Sequence, residues 1–258
     1  MIILVIGDII GRPGRLAVQK LLPGLRKQYN IGTVIANIEN TAGGIGATPS
    51  TVDELLECGV DVMTSGNHIW AHKEIIPYLE NDKPVIRPLN YPEGVQGRGY
   101  FTKGNVAVIN LIGRTFMSSY DCPFRTTDKL LKELGAKPVI KIIDFHAEAT
   151  SEKVALGRYF DGRVSAVLGT HTHIGTIDAR ILPKGTAYVT DIGMTGPKES
   201  VIGDNIDDVV QRFLTMIPKR LTVAKGSVIF TAMLLDIDNK TGKAKSIERI
   251  YQEIERED

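Results

Sequence analysis

The sequence contains little cysteine, few aromatic residues and no excess of either charge. Its two cysteines, Cys58 and Cys122, form no CxxC pair and are too few for a disulfide framework, so we expect both to be reduced thiols. The 31 Lys and Arg residues balance 30 Asp and Glu residues, which argues against the basic surface that holds the phosphate backbone of a long nucleic acid. Nucleic acid is therefore not expected to be an obligate partner.

Long hydrophobic runs are also missing. The apolar start, MIILVIGDII, has no basic leader and reaches Asp8 too early for a signal peptide or a membrane span. We therefore expect a cytoplasmic protein that does not bind membranes. The same run leads into GDIIGRPG, which lacks the GxGxxG spacing, and no GxxxxGK[ST] motif follows. These absences disfavour a dinucleotide-binding oxidoreductase.

The chain does contain enough apolar residues for a substantial core. Its 258 residues with 43% apolar content lie at the upper edge of one α/β domain, so we predict a single domain over residues 1–258. Six Ile- and Val-rich runs bounded by Gly, Asn or Asp lie at residues 2–8, 33–40, 60–67, 106–113, 138–147 and 164–171. Such runs, without strict alternation, are typical of strands covered on both faces.

Helix patterns alternate with these runs. They begin at Pro13 and within TPSTVDELLECG, DKLLKELG and TSEKVALGRYF, where Ser151 is expected to cap the last helix. Two further stretches predict β-hairpins, one turning at residues 103–105 and the other at residues 239–242. The alternation predicts a layered α/β fold, in which a mixed sheet, or two sheets packed face to face between helices, accommodates the hairpins.

Polar side chains gather where the predicted strands end. The strand ends carry Asp8, Glu39 with Asn40, Asn67 with His68, His146, and His171 with His173. The functional crevice of an α/β sheet lies beyond the carboxyl ends of its strands, so these residues are candidates for one site. Carboxylates, amides and imidazoles together suit Mn, Fe, Zn or a similar divalent ion, and no cysteine joins the set.

Each of these residues also has an ordinary structural explanation. Asp8 beside a glycine could begin a turn, and Glu39 could open the Gly-rich loop TAGGIGATP. His146 on an apolar strand could be a hydrogen-bonded histidine of the core. His171 and His173 are harder to explain in this way, because residues i and i+2 of an extended chain point to the same side. Four of the five histidines lie at these strand ends, and that coincidence favours a shared metal site.

The order of these motifs resembles that of the calcineurin-like metallophosphoesterases, most specifically in GNH at residues 66–68 and HTH at residues 171–173. The segments IGDIIGRPGR, IENTAGGIG, TSGNHIW and DIGMTGP are similar to those of YmdB-like bacterial phosphodiesterases, and the similarity runs through nearly the whole chain. Two motifs depart from the broader superfamily: Ile10 replaces the histidine of Asp-x-His, and Glu39-Asn40 replaces Gly-Asp-x-x-Asp. The resemblance implies an α/β sandwich with two mixed sheets flanked by helices.

The resemblance also implies two divalent metal ions, with Fe or Mn expected first and Zn or Mg compatible with the same ligands. Glu39 would bridge both ions. The remaining ligands would be Asp8, Asn40 and His173 for one ion, and Asn67, His146 and His171 for the other. His68 matches the family's catalytic histidine and would not be a ligand.

The activity that the resemblance implies is that of a phosphodiesterase. It would hydrolyse a small phosphodiester or cyclic nucleotide, in particular a 2′,3′-cyclic nucleotide, by attack of a hydroxide that bridges the metals. His68 would donate a proton to the departing ribose oxygen. The sequence is compatible with a homo-oligomer.

Two other interpretations have some support in the sequence. A regulatory protein could bind a nucleotide in the same pocket with little turnover, since the Gly-rich loops TAGGIGATP and DIGMTGPKES could approach phosphate oxygens or could be ordinary surface turns. An amidohydrolase is suggested by the bare HxH motif. It is disfavoured because in that barrel family HxH ends the first strand, whereas here it follows four other strand ends.

Overall fold

The computed structural model describes residues 1–255, and in that range the strands form two sheets. The first has the order β2 (Asp8–Ile9), β11 (Met194–Pro197), β12 (Val228–Ile237), β1 (Ile2–Ile6), β3 (Thr33–Asn37) and β4 (Val62–Thr64), with β13 (Ala244–Ile254) also paired to β12. The second has the order β5 (Tyr100–Lys103), β6 (Val106–Ile112), β7 (Ile140–His146), β8 (Ala166–Thr170), β10 (Ala187–Val189) and β9 (Arg180–Ile181).

Both sheets combine parallel and antiparallel strands. In the first, β1 is parallel to β3 and antiparallel to β12. In the second, β6, β7 and β8 are parallel, whereas β5 runs antiparallel to β6. The two antiparallel pairs β5–β6 and β12–β13 are the predicted hairpins. The prediction of a layered fold with two mixed sheets is therefore confirmed.

The two sheets pack face to face around one apolar cluster. Val5 and Ile35 of the first sheet belong to the same buried cluster as Ile142 and Leu168 of the second. Each fully buried side chain of this size contributes about 1.5–3 kcal/mol relative to an exposed one. Burial on both faces explains why these strands contain continuous Ile and Val runs.

Helices cover the outer face of each sheet. The helices that contribute to the apolar clusters on the sheets are α1 (Gly11–Tyr29), α2 (Pro49–Glu57), α3 (Ile76–Glu80), α4 (Pro123–Leu134) and α5 (Thr150–Tyr159), whereas α6 (Ile206–Thr215) contributes to none of them. Val18 of α1 and Val52 of α2 pack in the cluster on the first sheet, and Leu130 of α4 and Leu156 of α5 pack in the cluster on the second. In the described range, none of the helices combines the length and the apolar character needed to cross a lipid bilayer.

Two local predictions were wrong. Ser151 does not cap α5 but lies inside its first turn, because the buried Ala149 occupies the N-cap position. The DIGMTGP segment is not a loop at residues 194–197, where it forms the buried strand β11 between β2 and β12. The glycine at 196 permits this close packing, since a Cβ there would lie 2.8 Å from Cβ of Ile10.

Candidate metal centre

All eight candidate residues lie together at one edge of the two sheets. They are Asp8 in β2, Glu39 and Asn40 after β3, Asn67 and His68 after β4, His146 at the end of β7, and His171 and His173 after β8. The carboxyl ends of parallel strands meet at the same edge of a sheet, which is why residues so far apart in sequence converge. None of the eight lies elsewhere in the structure.

One group of these residues surrounds the ring nitrogen Nε2 of His146. The Glu39 Oε1 atom lies 2.9 Å from it, the His171 Nδ1 atom 3.0 Å and the Asn67 Oδ1 atom 3.2 Å. The ligand atoms of Glu39, His146 and His171 all lie within 4.8 Å of one another. These three residues form a group that could hold a metal ion, and the Asn67 oxygen points at the same place.

A second group lies beside the first. The Asp8 Oδ1 atom is 3.7 Å from His173 Nε2 and 3.9 Å from His146 Nδ1, and the Asn40 Nδ2 atom is 3.2 Å from His173 Nε2. Asp8 is fully buried, and within residues 1–255 its Oδ1 atom has no hydrogen-bond partner. A buried carboxylate oxygen without a partner is costly, and a cation would satisfy it. The Asn40 oxygen contacts His68, so ligation through that oxygen requires the amide to rotate.

The imidazole tautomers fit a metal site. His146 Nδ1 lies 3.0 Å from the Thr170 hydroxyl oxygen, His171 Nε2 lies 3.1 Å from Glu148 Oε2, and His173 Nδ1 lies 2.7 Å from the Ile202 carbonyl oxygen. Each ring can donate its outer N–H to one of these oxygens. His146 Nε2, His171 Nδ1 and His173 Nε2 are then left with lone pairs that face the site, which is the arrangement that metal-binding histidines require.

Burial and charge shift the acid–base properties of the site strongly. Burial raises the pKa of Asp8 to about 6. Burial opposes ionisation of Glu39, but His146 and His68 together outweigh it and lower the pKa of Glu39 to about 2. Burial also opposes protonation of His146, but Glu39, Asp8 and Asp144 together outweigh it and raise the pKa of His146 to about 9. Burial and repulsion from His146 lower the pKa of His171 to about 3. A proton on His146 and a metal ion therefore compete for the same carboxylate neighbours.

His68 lies at the rim of this centre rather than inside it. Its side chain is 36% exposed, and its Nδ1 atom is 2.9 Å from the Asn40 oxygen and 3.6 Å from Glu39 Oε1. Its backbone N–H donates to Glu39 Oε2 over 3.2 Å. Burial lowers the pKa of the His68 imidazole. A ring held at the rim, with one face open to solvent, can meet a substrate without being a ligand.

Gly66 provides the space in which these side chains meet. A Cβ atom at this position would overlap both the Glu39 carboxylate and the His146 ring. Only glycine lets the chain pass this close to the ligand groups. The glycine of the GNH motif thus has a steric role that is separate from the chemistry of Asn67 and His68.

The buried residues Thr170 and Asp144 hold the His146 ring in place. The Thr170 hydroxyl donates to Asp144 Oδ1 over 2.7 Å, so its oxygen is free to accept the Nδ1–H of His146. Asp144 also accepts hydrogen bonds from the Thr64 hydroxyl and, over 3.1 Å, from Asn37 Nδ2. This chain of hydrogen bonds selects the tautomer of His146 whose Nε2 atom faces the site.

We expect Thr170→Val to weaken metal binding by about 10- to 100-fold, because valine keeps the shape of threonine but cannot accept the His146 N–H. The measurement is a calorimetric titration of Mn²⁺ into metal-stripped protein. Thr102→Val, at an exposed position of β5, is the matched control and should bind as the wild type does. Unchanged affinity in Thr170→Val would mean that the hydroxyl does not orient His146.

The HTH segment does not have the predicted extended backbone. β8 ends at Thr170, and His171 and His173 have φ angles of 95° and 63°. The physical reason is that the Thr172 hydroxyl donates to Asp191 Oδ2 over 2.7 Å while the His171 N–H donates to Asp8, which turns the chain at each step. Both rings still reach the site, but from a strained turn rather than from one face of a strand.

Several supporting residues were missed by the sequence analysis. Asp144 could have been found, because it precedes His146 by two positions in β7 and so shares its face of the strand. The fully buried ion pair between Lys153 and Asp191, which lie 2.7 Å apart, could not have been found from the spacing of residues in the sequence. Lys153 lies in a helix where a lysine is ordinarily exposed, and only the packing of α5 on the second sheet buries it.

The fold and this centre together define the class of the protein. Two mixed sheets between layers of helices, with carboxylate, amide and imidazole groups at one edge, are the features of a metallophosphoesterase. The structure matches that of a novel phosphatase from Mycoplasma pneumoniae with a TM-score of 0.93 and 33% identity, covering 99% of this chain and 94% of that chain. A hypothetical protein from Thermus thermophilus matches with a TM-score of 0.92 and 44% identity, covering 98% of this chain and 99% of that chain.

The chain belongs to the YmdB-like protein family, whose model matches residues 4–250. It is 48% identical to the 2′,3′-cyclic-nucleotide 2′-phosphodiesterase of Bacillus subtilis (strain 168), over 97% of this chain and 96% of that relative. The resemblance inferred from the GNH, HTH and neighbouring motifs is therefore confirmed.

Proposed function

We propose that this protein is a metal-dependent phosphodiesterase that hydrolyses cyclic nucleotides, with 2′,3′-cyclic nucleotides as its substrates. The observation that carries this proposal is the buried Asp8 carboxylate oxygen, which has no hydrogen-bond partner in the described part of the chain and lies next to the Glu39, His146 and His171 group. The substrate class is supported by the name of the Bacillus subtilis relative, which is 48% identical over nearly the full length.

The proposed cofactors are two divalent cations, with Fe or Mn as the expected metals. Glu39 would contact both, since its Oε1 atom lies 2.9 Å from His146 Nε2 of one group and 3.5 Å from Asn40 Nδ2 of the other. The assignment of the other ligands is Asp8, Asn40 and His173 to one cation, and Asn67, His146 and His171 to the other. The distances among these atoms and the outward N–H groups of the three rings support this division. When bound, the cations would neutralise the phosphoryl oxygens and lower the pKa of water.

The protein's own residues supply positioning and proton transfer. His68 is the proposed general acid: its partly exposed ring can donate a proton to the departing ribose oxygen. Its Nδ1 atom contacts the Asn40 oxygen in this structure, and rotation of the Asn40 amide to ligate a cation would break that contact. Asp144 and Thr170 hold the His146 ring and thereby keep the site rigid.

The test is an assay of purified, Mn-loaded protein with 2′,3′-cAMP, 3′,5′-cAMP and a generic aryl phosphodiester. We expect hydrolysis of 2′,3′-cAMP with the highest kcat/KM of the three, and loss of activity after chelation that added Mn²⁺ reverses. Metal-loaded protein that binds 2′,3′-cAMP but releases no nucleoside monophosphate would contradict an enzymatic role. That result would favour the regulatory alternative.

A further inference from the structure

Three aromatic side chains form a group beside the metal centre. The Tyr91 ring packs edge to face with the Trp70 ring at a centroid distance of 5.8 Å and with the Tyr120 ring at 5.0 Å. All three side chains are partly exposed. Within residues 1–255, neither tyrosine belongs to one of the apolar clusters on the sheets. Core packing therefore does not explain why the two tyrosines lie here.

Hydrogen bonds tie this aromatic group to the end of β6, next to His146. The buried Asn90 side chain accepts from the Ile112 N–H over 2.9 Å and donates to the Ile112 carbonyl oxygen over 2.8 Å. It also donates to the carbonyl oxygen of the residue that follows Tyr120, over 2.9 Å. Ile112 is the register partner of His146 in the neighbouring strand. Tyr91, which follows Asn90, and Tyr120 are thus anchored beside a strand end that carries a proposed ligand.

The aromatic group also borders Glu39 and His68. Trp70 lies two positions after His68, the proposed general acid. Burial raises the pKa of Tyr91, and Tyr120 and the Glu39 carboxylate add to the rise, so Glu39 lies within electrostatic range of this ring. The three rings are therefore neighbours of both the proposed ligands and the proposed proton donor.

We propose that Trp70, Tyr91 and Tyr120 form an aromatic wall against which the base of a bound cyclic nucleotide stacks. The wall makes the enzyme prefer nucleotides to sugar phosphates that carry no base. Ligand sites are lined mainly by apolar and aromatic side chains, with a few polar groups that fix the orientation of the ligand. This inference rests on the proposed function, because it concerns the same substrate in the same site.

Stacking on such a wall tolerates any base. Every base has a π-face, so aromatic rings bind purines and pyrimidines alike, and modest preferences follow the strength of stacking. We expect purines to bind somewhat more tightly, since they stack over a larger area. The rings already hold one another edge to face, so little side-chain freedom is lost when a base binds.

The first test compares three substrates of the Mn-loaded protein: 2′,3′-cAMP, 2′,3′-cUMP and methyl riboside 2′,3′-cyclic phosphate, which has no base. Tyr91→Leu should raise KM for both nucleotides about tenfold and leave the kinetics of the base-free substrate unchanged within a factor of about two. Tyr91→Phe keeps the ring and should behave as the wild type does. Tyr159→Leu is the matched control, since Tyr159 also packs edge to face with a ring, that of Phe124, but at the last residue of α5.

The fluorescence of Trp70 gives a readout that does not depend on turnover, because the chain contains a single tryptophan. The probes are 3′-AMP and inorganic phosphate, each added to the same Mn-loaded protein. We expect 3′-AMP to change the fluorescence and phosphate to leave it close to its starting value. Tyr120→Leu should need about tenfold more 3′-AMP for the same change, and it serves as a second variant if Tyr91→Leu does not fold.

The outcomes separate this inference from the proposed function. Equal kcat/KM for the nucleotides and the base-free substrate, or an equal loss with all three in Tyr91→Leu, would overturn the aromatic wall and leave the phosphodiesterase in place. Equal changes of the Trp70 signal with 3′-AMP and with phosphate would also overturn it. A signal specific for 3′-AMP, without hydrolysis of any of the three substrates, would support the wall and contradict the proposed function.

Discussion

Glu39→Gln is expected to reduce kcat/KM for 2′,3′-cAMP about a thousandfold or more and to lower the bound metal content. Glu39 is the carboxylate of the group that also contains His146 and His171, and its Oε1 atom lies 2.9 Å from His146 Nε2. Glutamine keeps the shape of the glutamate side chain but removes its charge. It also offers one oxygen as a ligand, whereas contact with both proposed cations would use two. Since each factor of ten in rate corresponds to about 1.4 kcal/mol, this is a loss of about 4 kcal/mol of transition-state stabilisation.

The measurement is steady-state kinetics at saturating Mn²⁺, combined with elemental analysis of the purified variant. Glu57→Gln, on the exposed side of α2, removes the same charge at a distance from the site and should leave both quantities unchanged. Equal turnover by wild type and Glu39→Gln would show that Glu39 holds no metal that the reaction uses. The proposed function would then lose its principal support.

His68→Ala is expected to lower kcat for 2′,3′-cAMP by about 10²- to 10⁴-fold while the protein keeps its metal. The ring lies at the rim, outside the Glu39, His146 and His171 group, so its removal should not empty the centre. The loss should be much smaller with an aryl phosphodiester, since a nitrophenolate leaves without needing a proton. That difference between substrates would not arise from a merely structural role.

The matched control for this variant is His72→Ala, four residues further along the same segment. His72 contacts the Ile45 carbonyl oxygen at 3.1 Å and none of the candidate ligands, so its removal should leave kcat within a factor of about two. If His68→Ala instead lost its metal, His68 would be a ligand. An equal loss of kcat with both substrates would contradict its role as a general acid.

The sequence predicted most of the strands and helices, because the local preferences of these segments agree with the structure that they adopt in the fold. The buried strand runs, the two hairpins and α2 with its Thr48 capping box follow directly from residue type and spacing. The candidate residues also lie at the carboxyl ends of the strands, where the functional crevice of an α/β sheet is expected. The single domain over residues 1–258 stays a prediction.

Two of the predictions that were wrong concern segments whose backbone is set by distant residues. Spacing alone predicts an extended HTH segment, but Asp191, 18 residues after His173, turns it through the Thr172 hydroxyl. DIGMTGP has the composition of a loop, yet β2 and β12 pair with it on both edges. Local composition carries no information about such long-range hydrogen bonds.

By itself, the sequence determined which side chains can form the centre and that they follow buried strands, because strand periodicity and ligand chemistry are local properties. The tertiary structure decided which atoms meet. It placed Glu39 Oε1 against His146 Nε2, left Asp8 Oδ1 with no hydrogen-bond partner among residues 1–255 and set oxygens of Thr170, Glu148 and Ile202 beside the outer nitrogens of the three histidine rings. Contacts around the centre join residues up to 163 positions apart, as between the His171 N–H and Asp8, and only the packing of the two sheets brings such residues within hydrogen-bond distance.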